Sequence, residues 1–162
     1  MADVTSPPPS AGRDSSSLAV TAGFKVDLSG VYVYVVDDNE DARQLLKEVL
    51  EYCGALVHLA ASAEDALADL SQFLPTIVVA DLALPGLDGL ALVRALRKLP
   101  RKRGGLVPAI AITAHYEDFT RADAVRVGFN DFLQKPLSLQ ALCASISRLT
   151  RTAEIEVAEK LT

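Results

Sequence analysis

Residues that could handle a phosphate group follow or end four short apolar runs of this chain. These residues are Asp37 with Asp38, Asp81, Thr113 and Lys135. Three carboxylates gathered in one place would repel one another and raise each other's pKa unless a cation lay among them, and Mg²⁺ is a cation that prefers oxygen ligands. The lysine adds a flexible positive charge, and the threonine hydroxyl adds a hydrogen-bond donor. If folding brings them together, these groups are suited to phosphoryl transfer with Asp81 as the nucleophile.

The apolar runs are predicted to be strands of one parallel sheet. Residues 77–80 are short, wholly apolar and rich in β-branched side chains, which is typical of a strand buried on both faces. The predicted strands are 31–36, 55–60, 77–81, 109–114 and 130–134, and the predicted helices are 40–52, 63–73, 89–99, 118–127 and 138–148. This alternation predicts a doubly wound α/β fold, although it leaves the strand order open and is shared by nucleotide-binding folds. Ligands of such folds bind at the carboxyl ends of the strands, where all the polar residues above would lie.

Each polar residue also has an ordinary structural interpretation. Asp81 could simply end its strand and bond into the turn at Pro85, and the pair Asp37-Asp38 could favour the N-terminus of the following helix. Their joint occurrence at strand ends favours the functional interpretation.

Length, charge and cysteine content limit the classes of protein to which this chain could belong. The chain has 162 residues, long enough for one domain with a full core, and a net charge of −5, which argues against non-specific binding to nucleic acid or anionic membrane. Its two cysteines, Cys53 and Cys143, suggest neither a metal site nor a disulfide framework and fit a reducing compartment. No signal-peptide pattern or apolar run of membrane length is present, so we expect a cytoplasmic domain without a membrane partner.

Four stretches resemble, in order, the landmarks of the receiver domain of two-component response regulators. They are VVDDNEDARQLL, DLALPGLDG, ITAH and LQKP. The sequences of these motifs also resemble those of receivers in hybrid histidine kinases. The resemblance implies a CheY-like (βα)₅ fold with strand order 2-1-3-4-5. It also implies that Asp81 accepts a phosphoryl group from the phosphohistidine of a sensor histidine kinase or a histidine phosphotransfer protein.

The same resemblance implies a role for each site residue. Asp38 would bind Mg²⁺ directly, Asp37 directly or through water, and Asp81 and the backbone carbonyl of Ala83 would complete the coordination. Lys135 would pair with the phosphoryl group.

The resemblance also implies a switch. Thr113 would move to bond a phosphoryl oxygen while Phe132 turns inward, which would change the face formed by helix 4, strand 5 and helix 5. Phe132 could instead be ordinary core packing, and it lacks the hydroxyl of a tyrosine switch. Pro85 and Gly89 would shape the loop after Asp81.

Three further expectations concern residues around the acceptor carboxylate. The peptide before Pro136 is expected to be cis. Ala83 offers no side-chain help to a water that hydrolyses the acyl phosphate, and His115 is predicted to be an exposed loop residue.

The predicted domain organisation has three parts: a disordered leader at 1–29, a receiver domain at 30–149, and a tail or continuation of the last helix at 150–162. An amphipathic continuation could form a dimer seam, so a monomer or weak homodimer is expected. A run of basic residues closes the third helix, where cations suit the helix dipole, and lies opposite the site; without a recognition motif it is not predicted to bind nucleic acid: Arg94, Arg97, Lys98, Arg101, Lys102 and Arg103.

Three functional hypotheses remain. The first is a phosphorylatable switch that signals by protein–protein contacts and is not an enzyme beyond its own phosphorylation and dephosphorylation, either as a stand-alone regulator or as a part of a hybrid kinase. The second is a receiver fold used as a binding scaffold without phosphorylation. The third is a phosphatase with an aspartyl nucleophile; a haloacid-dehalogenase-like site would need a second Asp where Ala83 stands.

Overall fold

Five parallel strands form a single sheet in the order β2-β1-β3-β4-β5. The computed structural model describes residues 26–161, and the side chains of residues 26–151. The strands are β1 (Tyr32–Val36), β2 (Leu56–Ala60), β3 (Ile77–Asp81), β4 (Ala109–Thr113) and β5 (Asp131–Gln134). The helices are α1 (Glu40–Tyr52), α2 (Ala63–Leu70), α3 (Gly89–Arg97), α4 (Arg121–Val127) and α5 (Leu139–Leu161), with a 3₁₀ turn at Arg101–Arg103. The predicted (βα)₅ fold and strand order are confirmed.

The sheet separates two apolar cores. Along β3, Val78 and Ala80 face the core covered by α2, α3 and α4, whereas Ile77 and Val79 face the core covered by α1 and α5. All of these side chains are fully buried. Because successive side chains of a strand point to opposite faces, a strand covered on both sides must be apolar at every position, and this explains its unbroken run.

Side chains that cap the helix starts determine where several helices begin. Ser62 caps α2 by accepting a hydrogen bond from the backbone N–H of Asp65, and Asp88 caps α3 in the same way. The fourth helix begins at Arg121, three residues later than predicted. The reason is a capping box, in which Thr120 and Asp123 each bond the other's backbone N–H.

The described structure continues on both sides of residues 30–149. Residues 1–25 of the predicted leader lie outside the described residues. Leu28, within the same predicted range, is fully buried, and its N–H donates to the carbonyl of Cys53 at 2.7 Å. The packed domain therefore begins before residue 30. At the other end α5 runs to Leu161, so the helix continues through most of the predicted tail.

One member of the basic run, Arg97, turns inward and holds two loops together. Its Nε and Nη2 donate to the carbonyl of Gly128 at 3.0 and 2.8 Å, and its Nη1 donates to the carbonyls of Val107 at 2.7 Å and Gly105 at 3.2 Å. Burial lowers the pKa of Arg97. Arg97 is therefore partly buried, whereas the other five cations of the run are exposed.

Candidate functional site

The strand register brings the predicted polar residues to one edge of the sheet. Val36 of β1 lies beside Ala80 of β3, so the next residues, Asp37 and Asp81, are neighbours. Asp81 lies beside Ile112 of β4, which places Thr113 one residue further along the same edge. Asp81 is therefore the central group of the site because β3 is the central strand of the sheet.

The three aspartates form one cluster of carboxylates. Asp37 is fully buried, Asp81 is 6% exposed, and Asp38 faces solvent. Each offers an oxygen, and these oxygens all lie within 4.8 Å of one another. Backbone groups orient the two buried carboxylates, since the N–H of Asn39 donates to Asp37 and the N–H of Ala83 donates to Asp81, both at 2.9 Å.

Lys135 lies between the two buried carboxylates. Its ammonium contacts Asp81 Oδ2 at 2.8 Å and Asp37 Oδ2 at 2.9 Å. Burial by itself would lower the pKa of Lys135, but the hydrogen bonds and negative charges of Asp81 and Asp37 outweigh it, so the pKa lies above its ordinary value. Lys135 is thus held as a cation at the centre of the cluster.

The donor set fits a divalent ion with oxygen ligands. Three ionised carboxylates and one ammonium leave two negative charges in excess, which a divalent cation would balance. Three carboxylate oxygens within 4.8 Å of one another are a donor set of the kind that Mg²⁺ prefers. The role of the Ala83 carbonyl as a further ligand stays a prediction.

The predicted switch residues lie on two neighbouring strands, Thr113 at the end of β4 and Phe132 on β5. Thr113 is fully buried, and its Oγ1 accepts a hydrogen bond from the backbone N–H of His115 at 2.9 Å. The ring of Phe132 is 5% exposed and therefore already points inward in this structure. The guanidinium of Arg121 lies 5.7 Å from the centre of that ring and donates to the Phe132 carbonyl at 3.0 Å. His115 itself is exposed, as predicted.

The loop after Asp81 is shaped by close backbone contact. A side chain at Gly89 would place its Cβ 2.5 Å from the carbonyl oxygen of Asp81, so α3 can start this close to the acidic site only with glycine there. Gly86, after Pro85, has a φ of +76°, which glycine adopts without strain. The peptide between Lys135 and Pro136 is cis, as predicted.

Two residues near the site were not identified from the sequence. The Nη1 of Arg43, on α1, donates to the backbone carbonyl of Asp37 at 2.8 Å. Glu64, at the start of α2, accepts a hydrogen bond from the N–H of Leu87 at 3.0 Å, and this bond lowers the pKa of Glu64. Arg43 lies only six residues after Asp37, on the helix that follows it, so helix geometry could have suggested this contact. Glu64 lies 23 residues from its partner, and no local pattern points to that contact.

Asp131, at the start of β5, joins α4, β5 and α5 in one polar network. It accepts hydrogen bonds from Ser145 Oγ at 2.5 Å and from the Phe132 N–H at 2.8 Å. Arg121 and Arg148 approach it at 3.4 and 3.3 Å. Burial alone would raise the pKa of Asp131, but these bonds and charges outweigh it, so the pKa lies below its ordinary value.

Replacing Asp131 by asparagine is expected to lower the free energy of unfolding by about 1 kcal/mol at pH 7. A carboxylate whose pKa is depressed in the folded state stabilises it above the ordinary value near 4, and this contribution is lost as the pH falls through the folded-state pKa. The deficit of Asp131→Asn should therefore shrink between pH 7 and pH 3, as measured by urea unfolding. Asp118→Asn, in the exposed loop before α4, is the control, and a deficit that stays constant with pH would contradict this explanation.

Comparison with known proteins agrees with this geometry. The model of the response regulator receiver domain matches residues 33–147. An uncharacterized 14.6 kDa protein in the sodA1 3′ region of Leptolyngbya boryana is 44% identical over 110 residues, which cover 68% of this chain and 82% of that protein. The C4-dicarboxylate transport transcriptional regulatory protein DctD of Rhizobium meliloti is 36% identical over 116 residues, 72% of this chain but only 24% of DctD.

Solved structures show the same similarity. The receiver domain of the Francisella response regulator 1452 aligns with a TM-score of 0.69 at 26% identity, over 76% of this chain and 98% of that structure. Within residues 26–161, no helix combines the length and apolar character needed to cross a membrane. From the match over residues 33–147 and the fold, this chain belongs to the receiver domain family of two-component response regulators.

Proposed function

We propose that this domain accepts a phosphoryl group on Asp81 from a phosphohistidine and signals through protein contacts that this modification alters. The observation that carries the proposal is the position of Asp81. Its carboxylate lies at the tip of the central strand, 2.8 Å from the ammonium of Lys135 and next to two further carboxylates. Receiver domains are signalling switches that generally bind Mg²⁺ in such an acidic pocket, and the donor set of Asp37, Asp38 and Asp81 fits that ion.

In the proposed transfer, an oxygen of Asp81 attacks the phosphorus of the phosphohistidine. A bond from oxygen to phosphorus forms, the bond from nitrogen to phosphorus breaks, and the leaving imidazole takes a proton from solvent. Bound Mg²⁺ would supply positive charge to the phosphoryl oxygens. Lys135 has three N–H donors, two of which bond carboxylates here, so the third is available to a phosphoryl oxygen.

The buried hydroxyl of Thr113 is the proposed link from the site to the surface. Its oxygen accepts the bond from the His115 N–H, while its own proton remains available for a phosphoryl oxygen. A shift of Thr113 would move the loop that leads into α4. Residues of this loop line one pocket together with Arg121 and Phe132, so the face formed by α4, β5 and α5 is proposed to contact the downstream partner.

The chain spans 82% of its Leptolyngbya relative but only about a quarter of DctD. The similarity to DctD therefore does not identify the pathway of this chain. A sensor histidine kinase or a histidine phosphotransfer protein is the proposed donor.

The test is the intact mass of the wild-type chain after incubation with acetyl phosphate. We expect the mass to rise by one phosphoryl group in Mg²⁺ and to stay unchanged when EDTA removes the ion. Acyl phosphates hydrolyse, so a parallel sample with beryllofluoride, observed by ¹⁹F NMR, detects the site even if the phosphorylated state is short-lived. Absence of both signals would contradict the proposal and favour a scaffold that works without phosphorylation.

A further inference from the structure

A positively charged corner lies at the end of the sheet opposite the candidate site. We call it the basic corner, and it consists of Lys98, Arg101, Lys102 and Arg103, at and after the C-terminal end of α3. All four side chains are exposed, and none takes part in the ion pairs found within the described part of the chain. The proposed phosphoryl transfer does not involve these four cations. They form a positive surface on a chain whose net charge is −5.

A pocket of about 480 Å³ opens beside the basic corner. Its apolar wall is formed by Leu70, Phe73, Leu74 and Leu99, and the rest of its lining is polar, from Ser71, Gln72 and Arg103. Leu74 is 46% exposed, so its side chain is accessible to a partner. Cations beside a partly apolar pocket combine the two features by which a surface can recognise an acidic segment with an apolar side chain.

The backbone holds the basic corner in place. The N–H groups of Arg103 and Gly105 both donate to the carbonyl of Pro100, at 2.8 and 3.2 Å. Gly104 has a φ of +116° and packs against the pocket, since an added Cβ there would lie 3.9 Å from Leu74. The Nη1 of Arg97 donates to the carbonyl of Gly105 at 3.2 Å. This bond holds the turn that carries Arg101, Lys102 and Arg103. A surface arranged before binding loses less entropy when a partner docks.

We propose that the basic corner and its pocket are a docking site for an acidic peptide segment of a partner protein, which inserts a leucine-sized side chain between Leu74 and Leu99. Charge complementarity carries the choice of partner: four unpaired cations on an otherwise acidic protein attract a negative segment. Nucleic acid is a poorer fit, because Phe73 is the one aromatic ring that the described residues place in the pocket lining, whereas successive bases stack on several such rings.

The test is fluorescence anisotropy of a short fluorescein-labelled peptide that contains glutamates and two leucines, titrated with the full chain. Two control peptides carry glutamine in place of glutamate, or serine in place of leucine. We expect the acidic leucine peptide to bind most tightly and its binding to weaken with salt. The combined substitution Arg101→Gln, Lys102→Gln, Arg103→Gln should raise its Kd about tenfold, as three lost surface ion pairs would, and Leu74→Ser should weaken it similarly. Arg94→Gln, on the exposed face of α3, is the matched control and should leave the Kd unchanged.

Several outcomes would overturn the proposal. Equal binding of the glutamine peptide would show that charge does not determine binding. Equal binding of the serine peptide would show that the pocket does not take part. An unchanged Kd in the triple variant would place the peptide elsewhere on the domain. Tighter binding of a single-stranded oligonucleotide, lost in the same variant, would make the basic corner a nucleic-acid site instead. The titration needs neither acetyl phosphate nor Mg²⁺, so its result is independent of the proposed phosphorylation.

Discussion

Asp81→Asn is expected to show no mass gain with acetyl phosphate and Mg²⁺ while the domain stays folded. The amide has nearly the shape of the carboxylate but lacks the anionic oxygen that attacks phosphorus. The backbone N–H of Ala83 can still donate to the side-chain oxygen of residue 81, so the loop after β3 should keep its course. The loss of reactivity would therefore be chemical rather than structural.

The same variant should change the free energy of unfolding by only about 1 kcal/mol. Removing the charge of Asp81 weakens its contact with Lys135, but the ammonium keeps Asp37 at 2.9 Å and is not left unpaired. The variant also removes one negative charge from a cluster with two in excess, which offsets part of the loss. Urea unfolding without Mg²⁺ measures the balance.

Asp88→Asn is the matched control for Asp81→Asn. It makes the same chemical change seven residues further along, where Asp88 caps α3, and asparagine caps helices as well as aspartate does. This control should be phosphorylated like the wild type. A mass gain that persists in Asp81→Asn would contradict the assignment, and peptide mapping would then show whether Asp37 or Asp38 takes the group.

Arg97→Ala is expected to produce the largest loss of stability, about 3 kcal/mol in the free energy of unfolding. Four hydrogen bonds end on the carbonyls of Gly105, Val107 and Gly128, and each carbonyl would lose its charged donor. The side chain also packs against Gly128, where its Cγ and Nε lie 2.8 Å from the position of an added Cβ. The truncation would thus open a gap between the C-terminal ends of α3 and α4.

Urea unfolding at neutral pH measures this loss, and Arg94→Ala is the matched control. Arg94 lies on the same helix with an exposed side chain, so its replacement should change the free energy of unfolding by less than about 0.5 kcal/mol. Arg97→Lys should recover only part of the stability, because an ammonium cannot reproduce the planar fork that reaches three carbonyls. A loss in Arg97→Ala no greater than in Arg94→Ala would show that water replaces these bonds.

Local patterns in the sequence determined the elements and the edge at which the polar residues lie. The unbroken apolar run before Asp81 identifies a strand covered on both faces, and Ser62 and Asp88 signal helix starts through hydrogen bonds three residues away. These signals are readable because the interacting groups are close in sequence. The strand order was not among them: it came from the resemblance carried by four motifs, since any five alternating units show the same periodicity.

Tertiary structure alone decided the contacts between distant residues. Lys135 and Asp37 are 98 residues apart, and only the packing of β5 and β1 into one sheet sets their ion pair at 2.9 Å. Arg97 belongs to a run of six basic residues that the sequence does not tell apart, yet its guanidinium alone among them bonds the loop carbonyls of Gly105 and Gly128 in the described part of the chain. Residue type states which bonds a side chain can make. Which bonds it does make depends on neighbours that the fold supplies, because unpaired carbonyls attract a donor only once they lie within its reach.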